Sequence, residues 1–209
     1  MSTPAAASIR KTGTEPFHTS GAPLAIDVLG YWRWAYSDLL SNAARGKLAE
    51  YLVGCALDAC DGVRTDWDAY DLRTPEGWKV EVKSAAYWQS WPQKEPSKIV
   101  FRIPRALGWN AEDNSFFDQP TRAADVYVFA VLSHLDKATI DPLDVSQWDF
   151  YVLATAVLEQ NCAEQKTIAL GALLWHEPIK AKYAGLREAV AKAVNGRPSS
   201  TLEPQPHLR

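Results

Sequence analysis

The chain has 209 residues, 47% of them apolar and 22% charged, an ordinary balance for a globular protein with one or two domains. Lys and Arg number 22 against 25 Asp and Glu, a net charge of −3, so nucleic acid would have to be held by a local patch or a metal rather than by bulk basicity. Three cysteines, Cys55, Cys60 and Cys162, form no CxxC pair, which excludes a disulfide scaffold or zinc knuckle and suits a reducing, cytoplasmic compartment. The stretch 1–22 reads as a loose arm; Arg10, Lys11 and Glu15 interrupt it, and it is not a secretory signal. Ser41 or Asn42 can cap a helix running to about Ala59. Strands are expected over Asp68 to Thr74 and Trp78 to Ala86, with Pro75-Glu76-Gly77 between them. Lys98 to Pro104 reads as a third strand, followed by a polar loop to Arg122. Ala124 to Leu132 suits a buried central strand. Asp149 to Ala154 and Thr167 to Leu174 are further ordered segments, and Ala181 to Val194 has helical spacing, stopped at Asn195-Gly196. The tail 196–209, with Pro198, Pro204 and Pro206, reads as disordered. Residues 23–195 thus form one α/β domain, a mixed central sheet flanked by helices. No apolar run, Phe150 to Leu158 included, is long enough to span a bilayer.

The segment from Asp71 to Lys83 carries the most chemistry. Pro75 fixes the first turn position and Gly77 supplies the left-handed residue of a three-residue hairpin loop. That loop places Thr74 opposite Trp78 and, counting back, Asp71 opposite Glu81. Strand period puts Tyr70, Leu72 and Thr74 with Trp78, Val80 and Val82 on the core face, and Asp71 with Glu81 and Lys83 on the other. Carboxylates directly across a strand pair stand about 4.5–5.5 Å apart and repel. Lys83, about 6.6 Å along the same face, offsets part of this; a hard divalent cation would offset more, because Mg²⁺ uses one or two carboxylates with water and phosphate oxygens. The bland alternative is a solvated strand face with mixed charges.

A third acid comes from the preceding helix. Ala44, Leu48, Tyr51, Leu52, Cys55 and Ala59 form an apolar stripe, with Glu50 nearly opposite. Gly46 and Gly54 flank Glu50 one turn either side and allow close approach by a backbone or ligand. A Glu so framed is paired or bound to metal when buried; pairing with Lys47 or Arg45 on a helix surface is the alternative.

A helix Glu followed by Asp-x9-Glu-x-Lys across a hairpin, with strand text Val80-Glu81-Val82-Lys83-Ser84, resembles the PD-(D/E)XK, restriction-endonuclease-like nuclease superfamily over about residues 41–132. The residue before Asp71 is Tyr70 rather than the family's Pro, which leaves Asp68 open as the acid. Asp68 falls on the opposite strand face, so Asp71 is preferred. The resemblance implies a restriction-endonuclease-like fold and a metal-dependent endonuclease acting on DNA. Asp71 and Glu81 would ligate Mg²⁺ (Mn²⁺ as substitute), Glu50 would bind the metal directly or through water, and Lys83 would serve the attacking water and the phosphorane charge. Such chemistry needs a Lewis acid and a positioned nucleophile.

Ser84 and Gln89 follow the motif and could contact phosphate or water. Trp88, Trp91 and Trp109 interleave with Lys94, Lys98, Arg102 and Arg105, a pattern that can stack bases and contact phosphates. His18, His134, His176 and His207 lack ligand spacing, and neither GxSxG nor a P-loop is present. The runner-up is a non-catalytic nucleic-acid-binding or protein-interaction module on the same fold. A homodimer remains open, and no membrane association is expected.

Overall fold

The computed structural model describes residues 8–66, 68–110, 115–116 and 118–196. Its centre is β8 (Val126–Leu132), seven residues that are all buried. An apolar run without alternation has to be covered on both faces, and here each face carries its own core. On the first, Val80, Val82, Val126, Val128, Trp148, Phe150 and Val152 of the sheet meet Ala49, Val53 and Leu57 from one helix and Leu186, Ala189 and Val190 from another. On the second, Ala85, Tyr127, Phe129, Tyr151 and Leu153 pack against Phe101, Ile103, Leu158, Ile168 and Leu173.

The elements in chain order explain this sandwich. A hairpin of β1 (Pro16–Thr19) and β2 (Ala22–Asp27) comes first, turning at Ser20 and Gly21 with φ of 49° and 85°. It leads into α1 (Val28–Tyr36), whose N-cap Asp27 accepts the Gly30 N–H. Part of the stretch that reads as a loose arm is therefore a hairpin, yet its strands are exposed throughout and α1 buries no residue. The second helix, α2 (Asn42–Ala56), is capped by Ser41, which accepts the Ala44 N–H. Next come β3 (Leu72–Arg73), β4 (Lys79–Ala86), β5 (Val100–Arg102), β6 (Trp109–Asn110) and β7 (Ser115–Phe116). Beyond β8 lie β9 (Trp148–Ala154), α3 (Thr155–Asn161), β10 (Thr167–Ala169), α4 (Leu170–Leu174), β11 (Ile179–Ala181) and α5 (Leu186–Asn195).

The five-stranded sheet has the order β11-β9-β8-β4-β3. β4 runs parallel to β8 while every other neighbouring pair is antiparallel, so the sheet is mixed. α2 and α5 cover one face; β5, paired with β10, and α3 and α4 cover the other. This is an α/β fold with a mixed central sheet flanked by helices. Among the described residues no helix is long and apolar enough to cross a membrane, and all three cysteines are free.

Several local expectations are corrected. The first hairpin strand shrinks from Asp68–Thr74 to Leu72–Arg73. The polar loop before Arg122 contains the paired β6 and β7 and an Ala106–Thr121 bridge. Thr167 to Leu174 divides into β10 and α4, and the last helix begins at Leu186, because Ile179–Ala181 pairs with β9 and a 3₁₀ turn at Tyr183–Gly185 intervenes. On α2, Ala49, Val53 and Leu57 are fully buried; of the expected stripe Ala44 is buried and Leu48, Leu52 and Ala59 pack on the first core, while Tyr51 is 57% exposed. This helix is apolar nearly all round, so spacing alone does not select its buried stripe. The expected arm before residue 8 and the tail from 197 lie outside the described residues.

Candidate functional site

The β3–β4 hairpin follows its turn residues. The Thr74 N–H donates to Trp78 O at 3.0 Å and the Gly77 N–H to Thr74 O at 2.8 Å, and Gly77 sits at φ 89°, a left-handed conformation that glycine adopts without a Cβ clash. Leu72 pairs with Val80 and Arg73 with Lys79. The paired register ends at Leu72, one step short of Asp71 and Glu81. Val80 and Val82 enter the first core with Leu72 and Trp78 packed on it, and Thr74 is buried. Tyr70 departs from the expected face and packs against the second core, because the chain leaves strand geometry before Leu72 and period-two alternation no longer applies there.

Asp71 itself ends the ladder. Its backbone N–H still donates to Val80 O at 3.1 Å, but it is the Asp71 carboxylate that accepts the Val82 N–H, at 2.7 Å. The side chain thus replaces the strand backbone at the point where β3 stops. The position is charged with like-sign neighbours: burial first, then Glu81, then Glu50 push the Asp71 carboxyl up to about 7, against the opposing pull of the Val82 N–H and Lys83.

Glu81 and Lys83 lie beside Tyr127 and Phe129 of β8 in the parallel register, on the face that Ala85 continues into the second core. The Lys83 ammonium donates to Glu81 Oε1 at 2.5 Å. Their side chains are 28% and 17% exposed, reachable from solvent but partly desolvated. Burial, and after it the Glu81 charge, raises the Tyr127 phenol well above its ordinary value. Glu50 projects from α2 into a cleft that Asp71, Asp68, Tyr70 and Arg73 also line. Its partner is neither Lys47 nor Arg45 but Arg64, held in an ion pair, and the Glu50 side chain is only 13% exposed. Gly54 allows the close approach anticipated around Glu50: a Cβ there would stand 2.4 Å from Cys60 Sγ and 3.3 Å from Leu72 Cδ2, whereas at Gly46 it would meet nothing.

Glu81, Glu50 and Lys83 therefore each stand near enough to Asp71 to act on its charge. Asp68 is exposed and accepts from the Thr65 hydroxyl. Ser84 and Gln89 turn toward Arg45, whose guanidinium donates to both; Gln89 is buried and also donates to Ala86 O. Lys98, Arg102 and Trp91 line a second cleft with Lys83. Lys94 is exposed and is not part of that lining. Arg105 pairs with Glu159 and Glu164. Trp88 donates its indole N–H to Leu135 O and lies under Lys137, and the Trp109 side chain lies outside the described residues.

Sequence reasoning missed Arg64 and Arg45. Arg45 had a signal: it heads the series Arg45, Leu48, Ala49, Leu52, Val53, Ala56, spaced i, i+3, i+4, i+7, i+8 and i+11, whose other members are all apolar. Among the described residues, no group of three or more His, Cys, Asp or Glu side chains is arranged to hold a metal ion. Of the acids around Asp71, Glu81 is paired with Lys83 and Glu50 with Arg64. No protein-family model matches the chain, and no curated protein does.

Proposed function

We propose that the protein is a Mg²⁺-dependent nuclease of the PD-(D/E)XK, restriction-endonuclease-like kind, hydrolysing phosphodiester bonds of DNA at the β3–β4 hairpin, most simply as an endonuclease. The observation that carries this reading is the Asp71 carboxyl, set among two further acids and beside a lysine and pushed up to about 7. Burial of a carboxyl beside two like charges destabilises the fold, which favours a functional use for the crowding. A hard cation between Asp71 and Glu81 would relieve it, and two carboxylates suffice when water and substrate oxygens complete an octahedron. When bound, such an ion supplies Lewis acidity toward the phosphoryl oxygens.

The chain's own groups have distinct parts in this reading. Asp71 and Glu81 hold the ion, and the Val82 N–H fixes the Asp71 carboxylate in place. Lys83 cannot ligate a cation while protonated. Its ammonium orients the water that Glu81 helps to hold, and then faces the negative charge that grows on the phosphoryl oxygens. Glu50, tied to Arg64, would add negative potential beside a bound cation.

Incubation with supercoiled plasmid and with single-stranded DNA, in Mg²⁺, Mn²⁺ or EDTA, tests this directly. Wild type should cleave with either metal and not in EDTA, and Lys83→Ala should lose about 10²–10³ in rate. Absence of cleavage by wild type, or a Lys83→Ala rate within a few fold of it, would refute the assignment.

A further inference from the structure

Among the described residues, the strongest unexplained charge is Arg45. It is 3% exposed, yet its guanidinium meets only neutral oxygens: Leu40 O at 2.9 Å, Asn42 Oδ1 at 2.7 Å, Gln89 Oε1 at 2.7 Å and Ser84 Oγ at 3.3 Å. Among the described residues no carboxylate pairs with it. The other buried arginine shows the ordinary arrangement, for Arg122 has Glu159 at 2.9 Å as counter-ion. A buried cation without an anion is costly, and burial alone pulls the Arg45 guanidinium down to about 10.

The surroundings of Arg45 are equally one-sided. It lines a cleft along the C-terminal half of β4, where β3 no longer covers the sheet edge. Lys83, Lys98 and Arg102 line the same cleft, and no Asp or Glu does. Trp91 stands in it with 48% of its surface exposed. Lys98, Arg102 and the buried Arg45 add positive charge to a cleft with no acid in its lining, while Lys83 is paired with Glu81. This excess charge defines an anion site, and Arg45, with four of its five N–H donors engaged, acts through its charge rather than by contact. An exposed indole beside phosphate-binding cations is the combination that takes an unpaired strand, whose bases have free faces to stack.

We propose that this cleft is a phosphate subsite for single-stranded nucleic acid. Arg45 provides its buried charge, Lys98 and Arg102 contact the phosphate at the rim, and Trp91 carries the adjoining base. The identity of the ligand as a polynucleotide rests on the nuclease reading, because Lys83 borders both the cleft and the acids; the anion site itself stands on Arg45 and its neighbours. The strand would enter along Lys98 and Arg102 and reach the β3–β4 acids past Lys83.

The test is binding without metal, so that no bond is broken. Anisotropy of a labelled short oligothymidylate is followed in EDTA against wild type, Lys98→Ala/Arg102→Ala, Trp91→Ala and Arg45→Lys, with a blunt duplex and inorganic phosphate as competitors. The rim double variant should bind at least tenfold more weakly, with a salt slope shallower by about 1.4 if two phosphate contacts are lost. Trp91→Ala should also lose about tenfold, and Arg45→Lys, which keeps the charge but leaves buried acceptors unpaired, should lower the melting temperature and, where folded, bind within a few fold of wild type. The rim substitutions are exposed and keep the test valid if Arg45→Lys unfolds. Unchanged affinity and slope in the double variant would overturn the subsite, and a duplex competing as well as the single strand would overturn its preference for unpaired DNA. Cleavage by wild type without oligothymidylate binding sinks the subsite alone; binding without cleavage keeps the subsite and sinks the nuclease.

Discussion

Asp71→Asn isolates the like-charge crowding of the hairpin. The substitution keeps an oxygen to accept the Val82 N–H and removes only the ionisation. In the folded protein the Asp71 carboxyl rises from 3.8 to about 7, while in the unfolded chain it titrates near 4. The folded state therefore binds this proton more tightly. Its stabilising effect is full below about pH 4, declines as pH rises and is gone above about pH 7. At about 1.4 kcal/mol per pH unit, wild type gives up on the order of 4 kcal/mol across that window, which Asn does not. Urea denaturation in EDTA at intervals from pH 4 to pH 8 should find the two proteins equal in the acid and Asp71→Asn the more stable by several kcal/mol at pH 8. Added Mn²⁺ should close the gap by stabilising wild type alone. Parallel curves for the two proteins, or an Asp71→Asn protein less stable at pH 8, would refute both the burial and the crowding assigned to this carboxyl.

Glu81→Gln should lower the Asp71 pKa and leave the metal-free protein at least as stable at pH 8 while abolishing cleavage; an NMR titration of the Asp71 carboxyl reads the first effect. Gly54→Ala should destabilise by about 1–2 kcal/mol, since overpacking against Cys60 Sγ and Leu72 costs about 1–3 kcal/mol and exceeds the gain in helix propensity of about 1 kcal/mol. In a Cys60→Ala background the same substitution should become neutral or favourable, as a double-mutant cycle by thermal denaturation would show. Phe129→Ala, which empties a fully buried position edge-to-face with Phe101 at 4.9 Å between centroids, should cost about 3–5 kcal/mol, and a loss below about 2 kcal/mol would mean the second core collapses around it.

What was legible in the sequence is what local geometry dictates. Pro75 and Gly77 were enough to place Thr74 opposite Trp78 and Leu72 opposite Val80, and Ser41, one of the two caps expected, starts α2, because turns and caps depend on a few adjacent residues. Features that depend on what packs against an element were not legible. The apolar stripe of α2 was right for Ala44, Leu48 and Leu52 but wrongly took in the exposed Tyr51, because nearly every side of that helix is apolar and only α5 and the sheet decide which side is covered. Tyr70 changed core because β3 begins at Leu72, four residues later than expected, with the Asp71 side chain acting where backbone was expected. Glu50 found Arg64, which lies in an irregular stretch where no periodic argument reaches.

The parallel pairing of β4 with β8 has a consequence for how the molecule acquires its shape. Asp71 and Glu81 are ten positions apart and joined by a tight turn, whereas Glu81 and its neighbour Tyr127 are separated by forty-six. Closing the longer loop costs more entropy and is repaid only when the whole central strand docks. The hairpin with its opposed acids can therefore form early, while still wet and lightly repelled, and becomes desolvated only as β8 arrives. Substitutions at the hairpin turn, such as Gly77→Ala, should then slow folding, whereas trimming Val128 should mainly speed unfolding. Stopped-flow chevrons with both slopes assigned the other way round would show that the central strands lead instead.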